Sequence, residues 1–494
     1  MARRLIASLV VAVALTTVVH SQSARASTTW IWPSGSAPCN GTLQACVTNA
    51  ASGDTVLVAQ NGSIAEQVNI VNKSLTLRAQ TGFTPTLIGA SIQNTVSGTV
   101  SVTVSNIDFA HSVLIYLSAG AGHTITLDHI SAVSSGADPG VYGTIYVTST
   151  VNVLNSTFTL GGFYPGIELT SPVATGQDLT YNVIGNTVSG HGQTTAQTGI
   201  YLNATNAGSL TVNAYNNSVW DVGHALSTST SGGFYLSARD SGNADFNIVG
   251  NTVSRTSDGI KVNNEQDAGN HLSLDLFDNI VAGGSGSAVV IAADEPATLI
   301  VRGGSNDFYS NAQPNVTLGH SLGTNLRTGP KFVDPTTGNL ALKSSSTLIN
   351  KGFTCSPGGV AGPDAAGRDR LAGKSVDIGA YEFNAGTTGM VLVGTPDQDT
   401  LIGGPGNDIL CGYGGADFLN GKGGNDFLDG GAASDIVKGG SGSDRIYGGA
   451  SGDTVCGKDG VHGNDYVDGG PGEDDYRADS GDTVVHVEHL GSCP

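Results

Sequence analysis

Aspartates at 399, 408, 417, 426, 435, 444 and 453 follow one another at a strict step of nine. After a three-residue insertion near His462 the series resumes at Asp465 and Asp474. Around each the same frame recurs, as in Gly403-Gly404-Pro405-Gly406-Asn407-Asp408-Ile409-Leu410-Cys411. Glycines allow the tight turn and let backbone carbonyls turn inward, while the aspartate adds a charged oxygen. Oxygen ligands of this kind suit a hard cation such as Ca²⁺. A flexible linker has no reason to hold such a register.

The frame resembles G-G-x-G-x-D-x-U-x, the calcium-binding β-roll repeat of RTX (hemolysin-type) proteins, over about Val391 to Tyr476. The resemblance implies a parallel roll in which repeats i and i+2 stack. Calcium ions then sit between turns such as those of Asp408 and Asp426, or Asp417 and Asp435. Gly403, Gly404 and Gly406 exemplify the turn residues that supply carbonyls. Leu410, Leu419, Leu428, Val437, Ile446 and Val455 should point into a thin core. Without metal the aligned carboxylates repel, so the roll is expected to be disordered in chelator and folded with calcium. Repeats with Ala432-Ala433 or Ala450-Ser451 in glycine positions depart from the frame.

A second set of residues could bind rather than ligate. LIYL, TIYV, GIEL, GIYL, GFYL, GIKV and AVVI share one alternating pattern, 22 to 34 residues apart. Such strands bury the first and third apolar residues and expose the one between. The exposed column is then Tyr116, Tyr146, Glu168, Tyr201, Tyr235, Lys261 and Val290. Stacked at about 4.8 Å per coil, four tyrosines, a carboxylate and an ammonium suit a glycan chain. Ordinary cross-coil stacking is the alternative. Three of the six basic residues between 30 and 325 lie within Arg239–Lys261, the best-supplied place for an acidic sugar.

No catalytic constellation stands out. Gly190-His191-Gly192 and Ser257-Asp258-Gly259-Ile260 faintly resemble polygalacturonase motifs, in reversed order. The arrangement of a β-helix followed by RTX repeats is also similar to secreted alginate epimerases. Their Asp-Pro-His signature is absent, because Gly follows Asp138-Pro139 and Thr follows Asp334-Pro335. Lys261 or Arg255 could serve a lyase as base, but Glu168 lies three coils from Lys261, roughly 14 Å. The leading expectation is non-catalytic binding of extracellular polysaccharide or a cell surface. A polysaccharide lyase, epimerase or hydrolase is the alternative, and a purely structural or adhesive protein a third.

These residues need elements to position them. Asn106, Asn155, Asn186, Asn217, Asn251, Asn279 and Asn306 recur every 23 to 34 residues at the ends of short apolar alternations, with His129 filling one gap. The step is one coil of a right-handed parallel β-helix of the pectate-lyase-like kind, expected over 27–325. Stacked turn asparagines bonding the backbone are the simple reading of the series. TLQACVTNAASGDTVLVAQ resembles that family's capping helix and first strand.

Residues 326–386, with PDAAGRDRLAGKSVDIGAYEF, resemble the closing segment of bacterial surface proteins called choice-of-anchor Q. Asp364, Arg370 and Asp377 are expected to form a salt-bridged cap over the open end of the coil. Asn384 to Met390 reads as a linker, 387–476 as the roll and 477–494 as a tail. The fold class is therefore all-β.

Composition agrees. Only 13% of residues are charged and Gly numbers 72, which suits turn-rich β structure. The formal net charge is −20, and from Met390 onward 18 acidic residues face five basic ones. That acidity argues against nucleic acid or an anionic membrane as partner. Residues 1–26, MARRLIASLVVAVALTTVVHSQSARA, read as a secretory signal peptide, and no later run is long enough to span a membrane. The protein is expected to be secreted or held at an extracellular surface. Six cysteines can then form disulfides; Cys39 and Cys46 are the expected pair, and a direct Cys411–Cys456 bridge is disfavoured by register.

Overall fold

The computed structural model describes residues 26–134, 138–172, 176–190, 198–223, 232–239, 241–265, 271–293, 298–312, 322, 324–356, 362–384 and 389–493. Residues 1–25 of the expected signal peptide, His191-Gly192 and 385–388 of the expected linker lie outside them.

Alternation decides the first architecture. In Ser149–Leu154, Val151 and Val153 are fully buried while Thr150 and Asn152 face outward; Asp178–Ile184 repeats this with Tyr181 and Val183 inside. Strands of neighbouring coils pair in parallel, for example Asn152 with Asn182 and Asn182 with Asn213. One stack holds 11 parallel strands, from Thr29–Trp32 to Thr298–Gly304, and the other faces of each coil share a sheet of 17 strands. This is a parallel β-helix.

The helix Leu43–Asn49 covers its first coil. Thr42 caps it, Glu66 accepts from the N–H groups of Leu43 and Gln44, and Cys39–Cys46 is bonded. Leu43, Cys46 and Val47 join the main core.

The corner asparagines occupy two adjacent columns, not one. Asn106, His129 and Asn155 sit at a left-handed position (φ 48° to 56°), the one Gly185 and Gly250 fill in later coils. Asn186, Asn217, Asn251, Asn279 and Asn306 follow at the next position, fully buried. There each amide donates to the next one's Oδ1 at 2.9–3.0 Å and to a backbone carbonyl such as Ala214 O at 2.8 Å. The ladder satisfies polar groups that every coil would otherwise bury.

The segment after the coil corrects the expectation of an end cap. The last coil's edge is met earlier, by Leu322 in the core, by Leu326 bridging Asp307, and by Thr328 N–H donating to Asp307 Oδ1. Residues 332–356 and 362–383 run instead along the flank. Phe332, Leu340, Leu342, Leu348 and Ile378 pack on Trp220, Ile280 and Ala282 of successive coils. Asn216 Nδ2 donates to Pro363 O, Ala380 N–H to Thr252 Oγ1, and Phe353 N–H to Asp278 Oδ1. The flank offers apolar surface and open polar groups on three coils.

Asp364, Arg370 and Asp377 meet through Glu382: Arg370 donates to Asp377 O, Asp377 N–H to Glu382 Oε2, and Glu382 N–H to Asp364 Oδ2. Asp364 pairs with Arg368 at 2.6 Å, Arg370 lies 3.6 Å from Glu382, and Asp377 accepts from the N–H groups of Asn350 and Phe383.

From Val391 two six-stranded parallel sheets alternate along the chain, each strand pairing with the strand two repeats on. Leu410, Leu419, Leu428, Val437, Ile446, Val455 and Val467 form the fully buried core between them. The roll does not stop at Tyr476. Thr483–Val485 and His489–Leu490 pair with Tyr466–Asp468 and Asp475–Arg477, so most of the expected tail is roll. Cys456 bonds Cys493 and Cys411 bonds Cys355, with Cys411 and Cys456 in different sheets. Cys411 and Ile409 face away from the roll's core into a small cluster with Leu371 and Val376, and Tyr413 OH donates to Ser356 O at 2.8 Å. The flank segment thus holds the first turns of the roll.

Candidate metal centre

The repeat aspartates stand in two columns, one beside each sheet. Odd repeats bring Asp399, Asp417, Asp435, Asp453 and Asp474 together; even repeats bring Asp408, Asp426, Asp444 and Asp465 together. Along each column the backbone N–H of one aspartate donates to Oδ1 of the next, at 2.7–2.9 Å. This bond fixes the seven carboxylates from Asp417 to Asp474 in the same orientation.

The second oxygen is left over. Oδ2 of Asp417, Asp426, Asp435, Asp444, Asp453, Asp465 and Asp474 is buried without a hydrogen-bond partner. Burying a carboxylate oxygen unpaired is costly. Burial pushes Asp426, Asp444, Asp453 and Asp465 up to about 7 and Asp435 up to about 6, with neighbouring aspartates adding to the rise.

Glycine leaves room in front of each orphan oxygen. A Cβ at Gly421 would lie 2.2 Å from Asp426 Oδ2 and 2.6 Å from Gly439 O; at Gly430, 2.5 Å from Gly448 O and 2.6 Å from Asp435 Oδ2. Gly403 faces Asp408 Oδ2 and Gly421 O in the same way, at 2.3 and 2.5 Å, while Gly406 O approaches Gly424. Carboxylate plus carbonyl oxygen is the donor set of a hard dication, so the residues fit calcium. Among the described residues no three His, Cys, Asp or Glu side chains converge, so most ligands would have to be backbone carbonyls. A bound ion would supply the positive charge that seven buried carboxylates lack.

The coil face differs from the expected column by register. The paired residues are Leu114, Tyr142, Glu168, Tyr201, Tyr235, Lys261 and Val290. Tyr116 pairs with Thr144 instead, and Tyr146 lies beyond its strand, its ring edge-on to Tyr116 at 5.9 Å. The alternation parity was right, but Gly143 holds an inward position in Val141-Tyr142-Gly143-Thr144-Ile145, against Leu169, and so hides the true strand.

Tyr201 and Tyr235 stack at 5.0 Å with 2° between ring planes, yet Tyr235 is buried at 9% exposure. Glu168 stands three coil steps from Lys261, and burial raises its pKa. The exposed aromatics Tyr142, Phe163 and Tyr164 went unnoticed in the sequence; the latter two follow a Gly-Gly loop and carry no alternation. Arg255 donates to Asp221, and Asp258 Oδ1 accepts from Ser287 N–H, so both serve the coil.

The family described as RTX calcium-binding nonapeptide repeat (4 copies) matches residues 393–428, 429–461 and 463–485. The C-terminal roll is therefore built of RTX calcium-binding repeats. No curated protein matches the chain. Among solved structures the chain is similar to the one titled "Crystal structure of pectate lyase Pel9A", at 14% identity and a TM-score of 0.36. That likeness covers 72% of this chain and 96% of the other. The fold assignment rests on the strand pairing itself. Among the described residues no helix is long and apolar enough to cross a membrane.

Proposed function

We propose that the chain is an exported calcium-binding protein whose coil holds extracellular polysaccharide without cleaving it. In this reading residues 1–26 direct export, 326–386 join coil to roll as a choice-of-anchor Q-like segment, and the roll orders where calcium is abundant. The seven buried, unpartnered Oδ2 atoms carry the metal half of the reading, with the repeat aspartates and their turn glycines as its residues.

The coil half is supported by aromatic surface on one stack face. Tyr142 and Tyr116 are exposed, Tyr201 is half-buried against Tyr235, and Glu168 and Lys261 share the column. Phe163 and Tyr164 are exposed in the loop leading to Glu168's strand. Flat rings beside a carboxylate and an ammonium suit sugar rings and their hydroxyls.

Retention of the full chain on an array of acidic and neutral polysaccharides, with and without calcium, tests the reading. Tyr142→Ala with Tyr201→Ala should abolish retention of whichever glycan binds. Unchanged retention removes the face from consideration. Release of unsaturated uronates or new reducing ends overturns the non-catalytic reading in favour of a lyase or hydrolase.

A further inference from the structure

The nine aspartates share one register but not one environment. Asp408 has both oxygens engaged: Oδ1 accepts from Met390 N–H at 2.7 Å and Oδ2 from Gly404 N–H at 2.6 Å. Asp399 Oδ2 accepts from the N–H and the hydroxyl of Thr395, at 2.6 and 2.9 Å. Neither is among the seven carboxylates that bury an oxygen without a partner. The distinction follows from position. No repeat aspartate precedes these two in their columns: Met390 holds the place before Asp408, and Gly404 and Thr395 fold their own N–H groups onto the second oxygens.

The entering turns are also held from outside the roll. Cys411 is bonded to Cys355, Ile409 and Cys411 pack against Leu371 and Val376, and Tyr413 reaches Ser356 O. At the far end both columns close on acids outside the nine-residue frame. Asp482 Oδ1 accepts from Asp465 N–H while its Oδ2 accepts from Asp479 N–H, and Glu488 Oε2 accepts from Asp474 N–H.

We propose that Asp399 and Asp408 are metal-free staples, and that the calcium-bearing band runs only from Asp417 and Asp426 to Asp465 and Asp474. This rests on the calcium reading of the roll and divides its aspartates into two kinds. The first turns form a nucleus held by the flank segment, onto which calcium-loaded turns stack. The unpartnered oxygens mark where an ion is needed to offset buried charge; a carboxylate with both oxygens bonded has no such need.

Counting calcium ions per full-length chain by native mass spectrometry, with calcium acetate as the probe, tests the division. Asp399→Asn and Asp408→Asn should each bind as many ions as the unsubstituted chain, while Asp435→Asn and Asp444→Asn should each bind at least one fewer. An ion lost from either of the first two variants overturns the proposal. If Asp408→Asn fails to fold, hydrogen exchange on the unsubstituted chain still decides. The amides of Met390 and Gly404 should stay protected in chelator while those of Asp426 and Asp435 exchange. Loss of protection at all four together overturns it as well. A chain that binds no calcium in any form overturns the metal reading itself, a result separable from unequal counts.

Discussion

Gly421→Ala places one methyl group where the account puts a metal ion. Gly421 is not among the glycines with positive φ, so the backbone accepts alanine and only the space is altered. The new Cβ would lie 2.2 Å from Asp426 Oδ2 and 2.6 Å from Gly439 O, far inside contact distance. Neither atom can retreat easily. Asp426 is 2% exposed with its other oxygen bonded to Asp408 N–H at 2.8 Å, and Gly439 O belongs to the next turn's backbone. Overpacking of a closed site costs about 1–3 kcal/mol. If calcium binding and ordering of the roll are coupled, that is about a 5- to 150-fold rise in the calcium needed for half-folding. Gly414→Ala is the matched control, since its nearest atom would be Pro396 Cα at an ordinary 3.6 Å and its φ is also unremarkable. Circular dichroism of the full chain against free calcium reads both midpoints. Equal midpoints for the two variants would refute the cradle.

Other expectations test the scaffold. Asn251→Ala removes an amide bonded to Ala214 O and Asn279 Oδ1, and leaves Asn217 N–H buried without its acceptor. Denaturant unfolding should show a loss of about 3 kcal/mol, where a surface asparagine would cost almost nothing. Cys355→Ser with Cys411→Ser opens a 56-residue link between flank segment and roll, for about 4 kcal/mol by chain entropy. Earlier exchange of the roll's first strands should accompany it. Burial pushes Glu382 up to about 8 and Asp278 up to about 7. The folded chain therefore holds these protons to higher pH than the unfolded chain, and stability falls as pH rises from about 4 through 8. Thermal midpoints in saturating calcium should drop between pH 5.5 and 8.5, less steeply in Glu382→Gln. A midpoint that rises would contradict the assignment.

How much of this was legible depended on how tightly each pattern is constrained. The roll's core and strand register were legible, because Leu419 or Val437 moved by one place would leave a thin core empty. Its end could not, since Asp482 and Glu488 close the columns outside the nine-residue step. In the coil, parity was legible but register was not. Tyr116 and Tyr146 share the outward face with the true column, and only the pairing of Val141–Ile145 shows that Tyr142 belongs there. The flank segment's course was invisible for a different reason. Trp220, Ile280 and Thr252 look like ordinary coil residues until the segment from Phe332 onward lies across them. The non-equivalence of Asp399 and Asp408 was hidden too, because it is made by backbone N–H groups of Met390, Gly404 and Thr395 that the spacing of the aspartates does not reveal.

Long-wavelength anomalous diffraction from crystals of the full chain grown in calcium bears most directly on the central claim. The account expects peaks in two rows along the roll, each against Oδ2 of one of the seven aspartates from Asp417 to Asp474 and the turn carbonyls facing it. Peaks confined elsewhere, or none beside those oxygens, would contradict it.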